Sequence, residues 1–193
     1  MKKLVIGFVL FAVLVAAIWY APKYLAYADL PVKSDVIVLF VGSKDTTPQR
    51  QKEAIRLMEE GYARHLLIPA YGQVFDVHSA SRIQQSSRIR LLASTPYPSY
   101  FEDTHIEMLE AKKEIDNSGF KSAIFVSSPF HMRRIKIMAD MTFENSRLKM
   151  KCVPSRYIKW KGRFLIFQAS VFKNIANEYG KLIWFLAYKS LCS

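Results

Sequence analysis

The 193-residue chain has room for one domain of ordinary size with a substantial buried core. Hydrophobic residues make up 51% and the mean hydropathy is +0.04, high for a soluble protein, with the apolar surplus concentrated at the two chain ends. The net charge is +12, but no basic aromatic-interleaved motif, zinc spacing or basic repeat accompanies it, so nucleic acid is not the expected partner. Much of the surplus lies between Arg133 and Lys189, and an anionic lipid surface beside an anchor fits it better.

Lys2 and Lys3 precede Leu4 to Ala21, eighteen residues without a charge, long enough to cross a bilayer core. Positive charge on the short N-terminal side places that end in the cytoplasm and the following domain outside it. Trp19, Tyr20 and Tyr24 fall where an aromatic belt sits. Ala26-Tyr27-Ala28 before Asp29 also has the small-x-small pattern of a signal-peptidase site, so the segment reads as an uncleaved anchor or a cleaved signal. The expected division is an anchor and linker over residues 1–28 and one domain over 29–193.

Pro31 stops any continuation of the first helix, and Asp35 to Val41 is a continuous apolar run of the kind a strand buried on both faces requires. Gly42-Ser43 ends it. Thr46 or Thr47 with Pro48 opens a helix whose apolar face, Ala54, Leu57 and Met58, runs to Gly61. His65 to Pro69 is a second strand closing at Ala70-Tyr71-Gly72, which completes a strand, helix, strand unit and predicts a parallel pair. A helix is predicted from about Ser79 to Ala93, with Pro96 and Pro98 forcing extended chain after it. Helical periodicity returns from Asp103 to Ser118, Phe120 to Val126 is a third strand, and Leu148 to Val153 a last one. The tail from Arg163 to Lys189 has apolar residues at helical spacing, interrupted by Lys173, Asn174, Asn177, Glu178 and Lys181, so it is not a second span. It packs over the sheet, or its Trp184-Phe185 end touches the bilayer.

The chemistry converges on Val126-Ser127-Ser128-Pro129-Phe130-His131-Met132-Arg133-Arg134, where strand turns into helix. Ser128 suits an N-cap and Pro129 the first helical position, with the helix running to about Phe143. His131 and Arg134 then share one face beside free backbone N–H groups able to hold an anion. Arg133 and Arg134 are each disfavoured at a helix N-terminus by roughly 0.3 to 1 kcal/mol unless an anion or carboxylate answers them.

In an open parallel sheet, ligands sit beyond the carboxyl ends of the strands. That edge collects Gly42, Ser43, Tyr71, Gly72, Glu102, Asp103, Thr104, Ser127, Ser128 and His131, with Glu107 one turn beyond Asp103. Asp103 or Glu107 is expected to pair with His131 or Arg134, and so to orient His131 as an acid or base or to serve structure alone. His105 reads as a surface residue. Asp103, Glu107 and His131 are conceivable metal ligands, but the spacing signals none and no metal is assigned. There is no dinucleotide fingerprint, P-loop or Gly-x-Ser-x-Gly elbow, so no cofactor is indicated. Cys152 and Cys192 stand forty residues apart without metal-ligand spacing and are either paired or free.

Three segments resemble the YdcF-like, SanA-like and ElyC-like family of envelope proteins. They are Asp35-Val36-Ile37-Val38-Leu39 with Gly42, Arg50, Ala54 and Gly61; Glu102-Asp103-Thr104 with Glu107 and Ala111; and the Val126 to Arg134 corner. Glu178-Tyr179 with Lys181 resembles the family's closing helix. The resemblance, over about Asp35 to Tyr188, implies a Rossmann-like three-layer α/β sandwich with a mostly parallel sheet behind one N-terminal transmembrane helix. It also implies a role in peptidoglycan or surface-polysaccharide assembly, and a pocket at Gly42, Arg50, Glu102, Asp103, Thr104, Glu107, Ser127, His131 and Arg134. The chain departs from the pattern at Val41-Gly42-Ser43 and Pro69-Ala70, where fewer glycines leave fewer amides able to approach a phosphate.

The expected protein is therefore a single-pass membrane protein of the bacterial envelope whose domain faces the periplasm or exterior. Its expected ligand is an anionic small molecule or a lipid-linked glycan precursor. In this reading Ser128 and the helix amides hold the anion, Arg134 neutralises it, His131 with Asp103 or Glu107 moves a proton, and Ser43 is among the ligand-binding residues. The alternatives are a non-catalytic scaffold for envelope assembly proteins and a nucleotide-type binding module.

Overall fold

The computed structural model describes residues 20–42, 46–76, 97–158 and 169–191, together with Ile6 and Phe8. Its centre is a five-stranded sheet of β1 (Val36–Leu39), β2 (His65–Ile68), β3 (Gln73–Asp76), β4 (Ser122–Ser127) and β5 (Lys149–Pro154). The spatial order is β3-β2-β1-β4-β5. Every neighbouring pair is parallel except β2 with β3.

The helices are α1 (Thr47–Glu59), α2 (Asp103–Ser118), α3 (Met132–Thr142) and α4 (Ala169–Leu191). From β1 the chain steps one way to β2 through α1; from β4 it steps the other way to β5 through α3. Crossovers of one hand that step in opposite directions put their helices on opposite faces, and the core divides accordingly. On one face α1 buries Ala54, Leu57 and Met58 against Ile37, Leu39, Leu66, Ile124 and Val126. On the other, α2, α3 and α4 bring Met108, Ala111, Met132, Ile135 and Phe185 against Val36, Val38, Leu67 and Phe125. This is the three-layer, Rossmann-like α/β arrangement, and it accounts for the unbroken apolar runs of β1 and β4, which are buried on both faces.

The sequence does not signal β3. The 3₁₀ turn Pro69–Tyr71 and Gly72, at φ 59°, reverse the chain into an antiparallel edge strand only four residues long. Gln73, Val74 and Asp76 are exposed, so no apolar run betrays it. The helix expected over Ser79 to Ala93, Ser43 and Cys192 lie outside the described residues, as does nearly all of the candidate span Leu4 to Ala21. Among the described residues no helix is long and apolar enough to cross a membrane.

Two contacts fix the ends of this framework. The Asp35 carboxylate accepts hydrogen bonds from the Lys121 and Ser122 amides (2.7 and 2.9 Å) and from the Ser122 hydroxyl (3.0 Å), so it closes the start of β4 against β1. Those bonds, led by that from Lys121, hold its pKa below the ordinary aspartate value. The other is the packing of α4 over the sheet, where Phe185 is fully buried between His105 and Tyr188. Truncating a ring so enclosed typically costs about 3–5 kcal/mol. Phe185→Ala is therefore expected to lower the urea midpoint by a corresponding amount, whereas Ile183→Ala on the outer face of the same helix should leave it nearly unchanged.

Candidate functional site

A cavity of about 1030 Å³ opens beyond the carboxyl ends of β1 and β4, the adjacent strands from which the chain departs in opposite directions. Such a switch point leaves a crevice because the two following connections diverge. Its wall is built by the loop after β1 (Phe40, Gly42), by Arg50 of α1, and by Glu102, Asp103, Thr104 and Glu107 at the start of α2. Ser127, His131 and Arg134 come from the end of β4 and the corner behind it, and Asn174, Asn177, Glu178 and Lys181 from α4.

Arg134 is the best-bonded group in the site. Its Nε donates to Glu178 Oε2 at 2.9 Å, one terminal nitrogen donates to both Glu102 oxygens (2.6 and 2.7 Å) and to Thr104 Oγ1 (2.7 Å), and the other reaches Glu178 Oε1 at 3.2 Å and His131 Nδ1 at 2.8 Å. The side chain is only 1% exposed. Carboxylates do answer Arg134, but not the expected ones: Glu102 and Glu178 take the places foreseen for Asp103 and Glu107. With every guanidinium nitrogen engaged, Arg134 holds α2, α3 and α4 together and has no donor left for an anion. Arg133 is answered differently, donating to the Tyr24 carbonyl at 2.8 Å and lying over the Tyr24 and Tyr27 rings.

Arg50 is the opposite case. Its Nε donates to Ser128 Oγ at 2.9 Å and a terminal nitrogen to the Phe40 carbonyl at 3.0 Å, which staples the ends of β4 and β1. Both acceptors are neutral, and no carboxylate among the described residues forms an ion pair with this buried cation. Burial lowers its pKa to about 10, an effect that Glu107 partly offsets. A Cβ at Gly42 would stand 2.6 Å from the guanidinium carbon, so only glycine lets Arg50 lie along this loop.

Ser128 is therefore not the anion contact the sequence suggests. Its hydroxyl is fully buried and accepts from Arg50 instead of capping a helix. The helix start also differs: Pro129–His131 is a 3₁₀ turn and α3 begins at Met132. The His131 amide is thereby bonded to the Ser128 carbonyl and the Met132 amide to that of Pro129, which removes two amides from the expected anion nest.

His131 Nδ1 lies 2.9 Å from Glu178 Oε1 and 2.8 Å from Arg134. With its proton on Nδ1 the ring donates to Glu178 and leaves a lone pair on Nε2; in the other tautomer Arg134 donates to Nδ1 and Nε2 carries the proton. Burial pushes the pKa down to about 4, so the ring is neutral at pH 7. Burial pushes the Glu178 carboxylate up, but His131 and Arg134 outweigh it and hold the group at about 2. Glu107 is buried on the same wall, and no hydrogen bond reaches its carboxyl among the described residues. Burial raises its pKa to about 8, with Asp103 and Glu102 adding to the effect, so it is mostly a neutral acid at pH 7. Ser127 Oγ, also buried on this wall, has no hydrogen-bond partner among the described residues. Asp103 lies exposed at the first position of α2.

His105, expected at the surface, is buried: Tyr188 shares a hydrogen bond with its Nδ1 at 3.0 Å, and Phe101, Phe185 and Tyr188 enclose it. Cys152 is a buried free thiol whose pKa burial raises to about 12. Among the described residues no cluster of His, Cys, Asp and Glu could hold a metal ion. The contribution of α4 to the wall is not anticipated from the sequence, although a signal is present. Asn174, Asn177, Glu178 and Lys181 interrupt the apolar pattern at i, i+3, i+4 and i+7, which is one helical face.

No protein-family model matches the chain, and no curated protein or solved structure is detectably similar to it. The fold and the site geometry therefore stand on the chain's own residues.

The electrostatics of the wall can be tested at two positions. Arg134→Met strands two largely buried carboxylates and is expected to cost about 3–5 kcal/mol in denaturant unfolding. Arg134→Lys should recover only part of it, because an ammonium cannot reproduce the planar fork. Glu107 gives a pH dependence with a defined sign: its folded pKa is raised from 4.5 to about 8, so the unfolded state releases its proton first and stability falls as pH rises through that interval. His131 acts oppositely, contributing stability above pH 6.5 that is lost as pH falls toward about 4. Comparing Glu107→Gln with the parent isolates the first effect. The variant should gain stability relative to the parent between about pH 4.5 and 8 and level off above. The gain should not exceed roughly 1.4 kcal/mol for each pH step of one across that interval.

Proposed function

We propose that the protein is a membrane-anchored, extracytoplasmic α/β domain of the bacterial cell envelope whose switch-point cavity binds a phosphate-bearing or other anionic ligand. The observation that carries this reading is Arg50, a buried cation on the cavity wall bonded only to neutral oxygens among the described residues. A buried charge without a counter-ion is costly, and an anion entering beside it recovers that cost. Gly42 keeps the loop close to the guanidinium. The apolar segment Leu4 to Ala21 and the resemblance of the corner motif to YdcF-like envelope proteins support the location and the role in peptidoglycan or surface-polysaccharide assembly.

The same wall carries groups suited to proton transfer. Glu107 is an acid still largely protonated at neutral pH, and His131 is a neutral imidazole oriented by Glu178 and Arg134. In this proposal Arg50 holds the anionic group, Glu107 donates a proton or hydrogen bond to a neighbouring ligand oxygen, and the free nitrogen of His131 acts on the same ligand. Arg134, Glu102, Thr104 and Glu178 position these groups.

Thermal shifts of the full chain in detergent test the reading against inorganic phosphate, phosphate monoesters and sugar nucleotides. At least one should raise the melting temperature of the parent, and Arg50→Gln should abolish the shift. Loss of envelope function in both His131→Ala and Glu107→Ala, with folding intact, is the outcome an enzyme predicts. A scaffold tolerates both.

A further inference from the structure

α4 carries more than the buried face that covers the sheet. Phe172, Ala176, Gly180, Ile183, Ala187 and Leu191 recur at spacings of three and four and are all exposed, Ile183 by 65% and Leu191 by 85%. They form one continuous apolar stripe with Trp184 and Leu186 at its margins. The charges on the helix are Lys173, Lys181, Lys189 and Glu178, and Glu178 is buried in its pairing with Arg134 and His131. Lys181 is paired with Glu102 at 3.5 Å and Lys189 is half-buried, so the exposed charge bordering the stripe is that of Lys173.

A second, independent observation says what lies against this stripe. The Tyr179 hydroxyl donates to the carbonyl of Ala21 at 3.0 Å, and the Tyr179 and Tyr24 rings stack with centroids 6.3 Å apart. Ala21 is the last residue of the segment Leu4 to Ala21. If that run spans a bilayer, its end lies at the membrane surface, and Tyr179 is tied to that level. Ile183, one turn further along α4, is displaced by only about 6 Å along the axis.

We infer that α4 lies on the membrane as an interfacial helix, its apolar stripe set into the head-group region of an anionic bilayer and Lys173 at its border facing the lipid phosphates. An apolar stripe bordered by tryptophan and lysine is the composition such helices use, and anionic lipid complements the charge. Asn174, Asn177 and Lys181, about a third of a turn round the same helix from the stripe, line the cavity. The inference rests on Leu4 to Ala21 being a membrane anchor.

The test uses the full chain with Cys192→Ser and Ile183→Cys, labelled with an environment-sensitive fluorophore and reconstituted into vesicles of phosphatidylglycerol and phosphatidylcholine. The remaining thiol, Cys152, is buried and does not compete for label. A lipid bearing a shallow nitroxide should quench the label at position 183 several-fold more than a label at Asn117→Cys, near the C-terminal end of α2. Replacing phosphatidylglycerol by phosphatidylcholine should weaken the quenching. A chain that fails to float with vesicles refutes the anchor and the inference with it. A chain that floats while the label at 183 stays unquenched refutes the inference alone, as does disulfide cross-linking of unlabelled Ile183→Cys between copies without lipid quenching, which assigns the stripe to a second copy.

Discussion

The structure around the cavity depends on a guanidinium that has no contact with bulk water. Arg134 must satisfy its donors inside the protein or impose a large desolvation cost, and it does so through Glu102, Thr104, His131 and Glu178. These partners come from the N-terminus of α2, the turn before α3 and the middle of α4, so one side chain fixes the relative placement of three elements. The two carboxylates outweigh its single charge, and Lys181 beside Glu102 restores neutrality at the edge of the network. A network closed in this way resists rearrangement because moving any member leaves a buried charge unanswered.

That closure determines the character of the rest of the wall. Arg134 and its carboxylates neutralise one another, which leaves Arg50 as the buried cation without a paired carboxylate among the described residues. Glu107 is near enough to Arg50 to moderate its pKa, yet burial keeps the carboxyl largely protonated at neutral pH. The cavity thus sets a cation, a neutral acid, a neutral imidazole and a hydroxyl unpartnered among the described residues at the meeting of β1 and β4. This combination matches an anionic ligand with a hydrogen-bond acceptor close to its charge, as a phosphate ester has.

Much of the architecture was legible in the sequence because local pattern and global fold agree. The runs in β1 and β4 are apolar throughout, as strands covered on both faces must be, and the periodicity of α2 gave its limits, Asp103 to Ser118. β3 escaped notice because it is short and mostly exposed, held by its pairing with β2 and by Phe75 against the core. The cluster of candidate residues at the strand ends was legible from topology alone, since the switch point follows from the order of strands and helices. The pairing within it was not. Which carboxylate meets Arg134 depends on side-chain reach across three helices, and the alternatives Glu102, Asp103 and Glu107 lie within two turns of one another. His105 was misplaced for a similar reason, because its partners Phe185 and Tyr188 are some eighty residues away in sequence.

The central claim is a division of labour between two buried arginines, one closing the structure and the other receiving the ligand. It can be tested directly by following the arginine Nε–H resonances of the ¹⁵N-labelled protein during titration with inorganic phosphate. Both groups are hydrogen-bonded and shielded from solvent, so both should give slowly exchanging signals. The account predicts that the Arg50 resonance moves in a saturable manner while that of Arg134 stays in place. Movement of Arg134 with Arg50 unchanged would contradict it.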